Sequence, residues 1–464
     1  MGESIMKPII TVESVIRCHA NPEARKKILK HLKYKDTYFK RGKFGGGENQ
    51  IVTKHFVTGR KGSSGRFLTG LLPRLQKKTG ITVERKHLLQ IIKPQHKKPS
   101  LEGITFRPDQ LKALRKIKFK QRGRIIFPTG TGKTVIAAGA ISMWTNIRWL
   151  FLCHTKDLLQ QTSEEFGKFG ITNFKNGDGH KIHINALKNL SDAVVVSTIQ
   201  SVKNLKDLPV NYFQGVIVDE VHHAADLGSM YGKFLVQCQA PIRIGFTATK
   251  PSNEYQELVN EGLFGPVICE LTPQEGAELG ILAQTCVKII PIEYNPQLKK
   301  RTFQETVDKC IVNNSKRNQI IMDESRKIMK EKGSVLIIVD KLEHGRVIQE
   351  MFERRKLKIP FVEGQRDGAF RNNVKNKLKD KDLLCAICTK VWREGINIPS
   401  LNCIIYAAGG KEEKSVKQAM GRGLRISEGK SHIQLIDFLD PYPWIANHSI
   451  QRFKTYYDLG WLNK

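Results

Sequence analysis

Long apolar runs are missing from this chain of 464 residues. None approaches the ~18 consecutive apolar residues that a membrane-spanning helix needs. The opening MGESIMKPII also lacks the basic, apolar and small-residue succession of a secretory leader. The expectation is a cytoplasmic chain with neither a signal peptide nor a transmembrane segment. Cysteines are few, odd in number and scattered, at positions 18, 153, 238, 269, 286, 310, 385, 388 and 403. Set mostly in apolar runs, they suggest buried thiols in a reducing compartment rather than a disulfide framework. Cys385 and Cys388 form a C-x-x-C, but they lie inside the strand-like run LLCAICT. No second pair follows at zinc spacing, so a metal or redox role is disfavoured. Repeats of solenoid period are absent as well.

Negative charge is scarce. Seventy-seven Lys and Arg stand against 44 Asp and Glu, a net charge of +33 with a pI near 9.8. Such an excess costs self-repulsion and points to a polyanionic partner, with nucleic acid foremost. An anionic membrane surface is the alternative, but no strongly amphipathic basic helix supports it. The excess is uneven: residues 1–100 hold 23 basic against 6 acidic side chains, and residues 51–100 hold 12 against 1. Within that segment, QIVTKHFV and GRFLTG are β-prone runs separated by Gly-rich turns. LLPRLQKKTG then has the form of a short helix closed by a C-terminal glycine. Residues 1–95 are therefore expected to form a small, basic, β-rich (α+β) domain. Arg41, Lys43, Arg60, Lys61 and Arg66 are its candidate DNA contacts. IIKPQHKKPS (91–100) has the composition of a linker.

From Leu101 the texture changes. GRIIFP, RWLFLCH, AVVVST, GVIVDE and IRIGFTAT are apolar at nearly every position and alternate with helical segments. That is the pattern of parallel strands covered on both faces. A second series follows, CVKIIPIEY, SVLIIVD, IPFVEG, LLCAICT, NCIIYAA and HIQLIDF. Two α/β series imply two doubly wound domains, expected over residues 96–283 and 284–464.

Two clusters carry chemistry. FPTGTGKT (127–134) lies between a strand and a helix. Its glycines let backbone N–H groups close on phosphate oxygens at a helix N-terminus. Lys133 would reach the β- and γ-phosphates, and Thr134 would bring a hydroxyl to Mg²⁺. Phe127 stands where the longer form of this pattern has its first glycine. VIVDEVHH (216–223) then ends a strand with two carboxylates. Asp219 can serve Mg²⁺, and Glu220 can take a proton from attacking water. Adjacent His222 and His223 seldom face one ion, so a metal role for them is disfavoured.

GTGKT, DEVHH, TAT (247–249) and QAMGRGLR (418–425), in that order, resemble the motifs of the superfamily 2 helicases and translocases. The resemblance covers about residues 101–440. It implies two tandem RecA-like domains and a catalytic set of Lys133, Asp219, Glu220, Gln418, Arg422 and Arg425. The two arginines would meet charge on the γ-phosphoryl oxygens. ATP-binding positions would be Phe106, Arg107 and Gln110 of FRPDQ, residues Pro128, Thr129, Gly130, Thr131, Gly132, Lys133 and Thr134 of the loop, and Gly395 and Asn397. The family usually has Asp where this chain has Asn397. Thr247, Ala248 and Thr249 would couple ATP to nucleic acid. His154, Thr155, Lys156, Thr198, Gln200, Lys341, Thr389 and Lys390 would grip the polymer. The layout of a small basic β-rich segment before two short motor domains, with the tail SIQRFKTYYDLGW, resembles the phage recombination and branch-migration helicases of the UvsW type. That group implies ATP and Mg²⁺ as cofactors, branched DNA as partner and a monomeric motor, in the host cytoplasm for a phage protein. An RNA helicase and a nucleotide-switched clamp without unwinding stay open as alternatives. A restriction motor is disfavoured by the lack of a nuclease or methyltransferase motif.

Overall fold

A computed structural model of the chain describes residues 7–41, 47–60, 62–85, 89, 91–171, 174–177, 194–202, 209–251, 253–298, 302–363, 368–389, 398, 400–410 and 432–462. It divides into two units, residues 1–127 with 132–270, and residues 128–131 with 271–464. Among the described residues, no helix is long and apolar enough to cross a membrane.

The N-terminal segment builds a four-stranded mixed sheet in the order β5-β2-β1-β6, from β1 (Ile9–Val12), β2 (Arg17–Ala20), β5 (Gly65–Leu68) and β6 (Thr82–Glu84). β3 (Lys33–Arg41) and β4 (Gly47–His55) pair antiparallel as a separate two-stranded hairpin. Helices α1 (Pro22–Leu29) and α2 (Leu72–Thr79) pack beside the mixed sheet. Asn21 caps α1 by accepting from the Ala24 N–H. Gly80 closes α2 in the left-handed region at φ 62°, a conformation that glycine adopts without the Cβ penalty. The expected β-rich segment with one glycine-capped helix is therefore present. Residues 91–100, expected as a linker, form no regular element, but the Ile92 carbonyl accepts from Trp144 Nε1 at 3.0 Å.

The next sheet is wholly parallel. Its strands are β7 (Arg122–Ile126), β8 (Trp149–Cys153), β9 (Phe174–Gly177), β10 (Val194–Thr198), β11 (Gly215–Val218), β12 (Ile242–Thr247) and β13 (Val267–Glu270). They lie in the order β13-β7-β12-β11-β8-β10-β9. Helices α3 (Pro108–Lys120), α4 (Lys133–Met143), α5 (Lys156–Lys168), α6 (Met230–Gln237) and α7 (Glu254–Phe264) connect them. All five strands expected from apolar runs are present. β9 and β13 are additional edge strands, and neither carries the long β-branched run that marks the centre of the sheet.

Helix α7 joins this lobe to the N-terminal segment. Leu258, on α7, lies in one buried cluster with Ile10, Val12, Leu71 and Leu75. Gly70 must be glycine, because a Cβ there would stand 2.1 Å from the Glu261 carbonyl oxygen. Arg74 Nε donates to Glu261 at 3.0 Å. Two buried arginines also hold α7. Arg243 donates to the carbonyls of Leu263, Cys238 and Leu235 at 2.7, 2.8 and 2.9 Å. Those oxygens lie at the C-terminal ends of α6 and α7, where unpaired carbonyls and the helix dipole favour a cation. Arg124 donates to Gly265 at 3.1 Å and makes a two-pronged contact with Glu257 at 2.7 and 2.6 Å.

The last sheet is also all-parallel, in the order β14-β19-β18-β15-β17-β16. Its strands are β14 (Gln284–Pro291), β15 (Ser334–Ile338), β16 (Phe361–Val362), β17 (Cys385–Cys388), β18 (Leu401–Tyr406) and β19 (His432–Leu439). They match all six expected runs. Helices α8 (Ser315–Lys330) and α11 (Ile445–Asp458) are tied in by fully buried pairs, Arg317 with Asp440 and Arg452 with Asp437; α9 (Leu342–Arg354) and α10 (Gly368–Lys379) complete the layers. Cys385 and Cys388 are buried in β17 as free thiols. One cysteine departs from expectation: Cys286 is exposed, because β14 is an edge strand and presents alternate positions to solvent.

Removing Arg243 would take the donor from the Leu235 and Cys238 carbonyls and leave the Leu263 carbonyl with the more distant Arg122 at 3.4 Å. Arg243→Ala should therefore lower the stability of the first unfolding transition by about 3 kcal/mol. The exposed control Arg354→Ala should shift it by under about 0.5 kcal/mol. Denaturant titration followed by circular dichroism checks both.

Candidate ATP and nucleic-acid site

Because β7, β12, β11, β8 and β10 are adjacent and parallel, the segments leaving their carboxyl ends stand in a row. These are GTGKT after β7, TAT at the end of β12, DEVHH after β11, HTK after β8 and Thr198 at the end of β10. The carboxyl edge of such a sheet is where ligands bind in doubly wound folds.

Gly130 and Gly132 take φ of 88° and 84°, which lets the loop curl with its N–H groups inward. Within the loop, the Thr131 hydroxyl donates to the Pro128 carbonyl at 2.7 Å. Gly132 is the N-cap of α4, so Lys133 and Thr134 open the helix. The Lys133 ammonium donates to the Phe127 carbonyl at 3.3 Å and lies 3.7 Å from Glu220. The lysine thus faces the carboxylate across the sheet edge.

Glu220 sits in the left-handed region at φ 50°, ψ 56°, a conformation that costs a non-glycine residue about 1–2 kcal/mol. Strained backbone of this kind concentrates at functional sites. Burial, and then the neighbouring Glu220 charge, push the Asp219 carboxyl up. Burial pushes Glu220 upward too, but Lys133 and then His222 outweigh it and hold this carboxyl below the usual range. His222 Nδ1 lies 3.2 Å from Glu220 and 3.4 Å from the Thr247 hydroxyl. Thr247 Oγ1 in turn donates to the Thr249 carbonyl at 3.1 Å and accepts from its N–H. DEVHH and TAT are therefore hydrogen-bonded to each other, with Ala248 between the two threonines.

The donors suit Mg²⁺ rather than a tightly caged metal. Among the described residues, no group of three or more His, Cys, Asp or Glu side chains could hold an ion by itself. A hydroxyl at Thr134 and a carboxylate at Asp219 match an ion that keeps water and phosphate oxygens as its other ligands. The upward push on Asp219 is the effect a nearby cation would reverse.

On the base side, Arg107 caps α3 and pairs with Asp109 at 2.9 Å. Gln110 is 2% exposed, and its Oε1 accepts from the Arg107 N–H at 3.1 Å. A Cβ at Gly132 would stand 2.6 Å from Gln110 Nε2, so the glutamine amide abuts the phosphate loop. Phe106 packs on α4 at Gly139.

Of the positions expected to grip the polymer, Lys156 and Gln200 are exposed and His154 is partly exposed. Thr155 caps α5 by accepting from the Leu158 N–H. Thr198 is buried at 3% exposure and bonds to Ser201 at 3.1 Å, so its hydroxyl is turned into the lobe. Lys341 pairs with Asp308, and Thr389 is buried. Arg60 is exposed, Arg66 is bound to Glu13 at 2.9 Å, and Arg41 ends β3. Lys43, Lys61, Lys390, Gly395, Asn397, Gln418, Arg422 and Arg425 lie outside the described residues.

One arrangement was not foreseen from the motifs. His223 stacks on His154 with ring centroids 3.6 Å apart and planes 4° from parallel. The doubled histidine after Asp-Glu was visible in the sequence, but not its partner, sixty-nine positions earlier.

The motif order and the two parallel sheets define an ATP-driven motor class. A family model described as "Type III restriction enzyme, res subunit" matches residues 103–252, and one described as "Helicase conserved C-terminal domain" matches residues 316–427. The chain is an ATP-dependent helicase of superfamily 2, resembling the UvsW type. It is 26% identical over 357 residues to the ATP-dependent DNA helicase uvsW of Enterobacteria phage T4, covering 74% of this chain and 70% of that protein. It is 24% identical over 359 residues to the DNA 3'-5' translocase XPB2 of Sulfurisphaera tokodaii, covering 70% and 79%. Its fold is similar to that of the ATP-dependent Type ISP restriction-modification enzyme LlaBIII bound to DNA, with a TM-score of 0.60 at 18% identity. That match covers 77% of this chain and only 30% of the larger enzyme.

If Glu220 is the general base, Glu220→Gln should retain nucleotide binding and lose about 10²–10⁴-fold in turnover. Lys133→Ala should weaken binding and turnover together. Steady-state hydrolysis and a fluorescent-nucleotide titration separate the two, and normal hydrolysis by the Gln variant would remove the assignment.

Proposed function

We propose that the chain hydrolyses Mg²⁺-ATP to unwind or branch-migrate branched duplex DNA: forks, displacement loops and four-way junctions in recombination, repair or replication. In this reading, Lys133 and the loop N–H groups hold the β- and γ-phosphates. Thr134 and Asp219 would hold the metal, which would supply positive charge to offset that of the phosphates. Glu220 accepts the proton of the attacking water. Arg422, Arg425 and Gln418 are assigned to the γ-phosphoryl charge on their motif alone. ATP binding and hydrolysis favour different conformational states, and the difference in affinity drives movement. The motor is taken to work as a monomer.

What supports the reading is the row along one sheet edge, with Lys133 and Glu220 3.7 Å apart and the HTK segment leaving β8, the strand next to the β11 that carries DEVHH. Uneven basic charge in residues 1–100 supports a duplex-binding role for the N-terminal segment. The uvsW name supports DNA over RNA.

The deciding experiment is ATP hydrolysis with no polymer, single-stranded DNA, forked DNA and RNA. Strongest stimulation by forked DNA is expected. Stimulation by RNA alone would replace the DNA reading, and no hydrolysis anywhere would leave a nucleotide-switched clamp.

Truncation is a poor test of the N-terminal segment, because Leu258 of α7 belongs to that segment's core. Substitution is cleaner. Arg60→Ala should weaken forked-DNA binding alike for all sequences. It should also flatten the dependence of log affinity on log salt by about one ion. Fluorescence anisotropy across salt concentrations reads both.

A further inference from the structure

The doubled histidine of DEVHH has a role that the ATP site leaves unassigned. Glu220 is followed by a single tight turn, Val221–Ala224, closed by the His223 N–H donating to the Glu220 carbonyl at 3.0 Å. Val221 and Ala224 are fully buried and anchor that turn in the lobe. His222 faces the chemistry, 3.2 Å from the Glu220 carboxylate. His223 lies flat against His154, 3.6 Å between centroids and 4° between planes. The two histidines of the turn also touch each other, with centroids 4.2 Å apart.

His154 is the residue before Thr155, the N-cap of α5, and before exposed Lys156. The end of its strand is fixed by Tyr231, whose hydroxyl donates to the Cys153 carbonyl at 3.0 Å. The ring of His154 thus rides on a segment assigned to the polymer, while the ring it covers rides on the turn that sets the Glu220 backbone. Two overlaid planar rings at contact distance resist being pushed together. Packed groups with no free volume between them transmit such a displacement rather than absorb it. Glu220 is held in a strained left-handed conformation, so a small rotation of its turn re-aims the carboxylate.

We infer that His223 is a positioning residue, which through its stack on His154 carries nucleic-acid engagement at residues 154–156 to the carboxylate of Glu220. The inference rests on the ATP-driven reading of the site and adds to it the route by which polymer stimulates hydrolysis. His223 itself touches neither ATP nor the polymer in this scheme.

The test uses the full chain, ATP and forked DNA at saturation. His223→Ala should retain basal hydrolysis within about twofold, an unchanged KM for ATP and an unchanged Kd for DNA. The DNA-stimulated kcat should fall about tenfold, in the range of ordinary coupling between sites. His223→Phe, which keeps a flat ring against His154, should restore at least half of the stimulation. His223→Leu fills the space without a planar face and should behave like the Ala variant, which covers the case in which Ala unfolds the turn. In a double-mutant cycle, H154A/H223A should lose no more stimulation than H154A alone.

Stimulation of H223A and H223L within about twofold of the natural chain would overturn the inference. So would equal loss in H223F and H223L, since the ring face would then not matter. If the natural chain itself shows no DNA-stimulated hydrolysis, the underlying reading falls and this inference with it. An indifferent His223 in a stimulated enzyme removes the inference alone.

Discussion

A parallel sheet cannot reverse direction at the edge where its strands end. Each strand must be followed by a crossover that returns to the opposite edge, so all the departing segments gather along one side. In the first α/β lobe this brings together GTGKT, TAT, DEVHH, HTK and Thr198, which are spread over 65 positions of sequence from Lys133 to Thr198 and a further 51 to Thr249. Nothing in the local preferences of these segments would assemble them. The strand order does so, and the apolar runs that bury the strands on both faces are what fix that order.

Burial on both faces has a second consequence. Helices must cover the sheet, and their ends carry carbonyls without partners. The lobes meet this with arginine drawn inside. Arg243 serves three carbonyls at the ends of α6 and α7. In the other unit, Arg317 and Arg452 each join an aspartate and a carbonyl that lies beyond strand β18 rather than at a helix end, those of Ala407 and Gly410. Buried ion pairs of this kind are modest as net stability and severe when one partner is removed. Their contribution is to specify which helix lies where, because an alternative packing would strand a charge.

The sequence made the sheets legible because buried parallel strands leave an unmistakable trace of consecutive apolar residues. Every expected strand in both α/β series is present, and so is the helix closed by Gly80. GTGKT and DEVHH were legible because phosphate contact demands glycine and lysine in a fixed local order. Other features were not. Arg243 stands in the strand IRIGFT as a lone charge, and its meaning depends on the ends of helices that follow and precede it. The pairing of His154 with His223 depends on β8 and β11 being neighbours, which no window of sequence contains. Thr198 illustrates the converse. Its motif suggested a polymer contact, but its hydroxyl is turned inward to Ser201. A residue type can be legible where the direction of its side chain is not.

Helix α7 is held by both of its neighbours. It begins five residues after Thr249, the last of TAT, and its side chains are already committed. Glu257 and the Leu263 carbonyl meet the buried arginines of β7 and β12. Leu258, Glu261 and the backbone beside Gly70 meet the N-terminal segment, whose Arg74 lies 4.0 Å from Glu257 as well. Such a helix has little freedom to move relative to either neighbour, since each contact is either close-packed or charge-matched. The basic N-terminal segment is accordingly a rigid extension of the first α/β lobe and not a tethered accessory. A polymer held by that segment is held by the same body that carries Lys133, Glu220 and the His154–His223 stack.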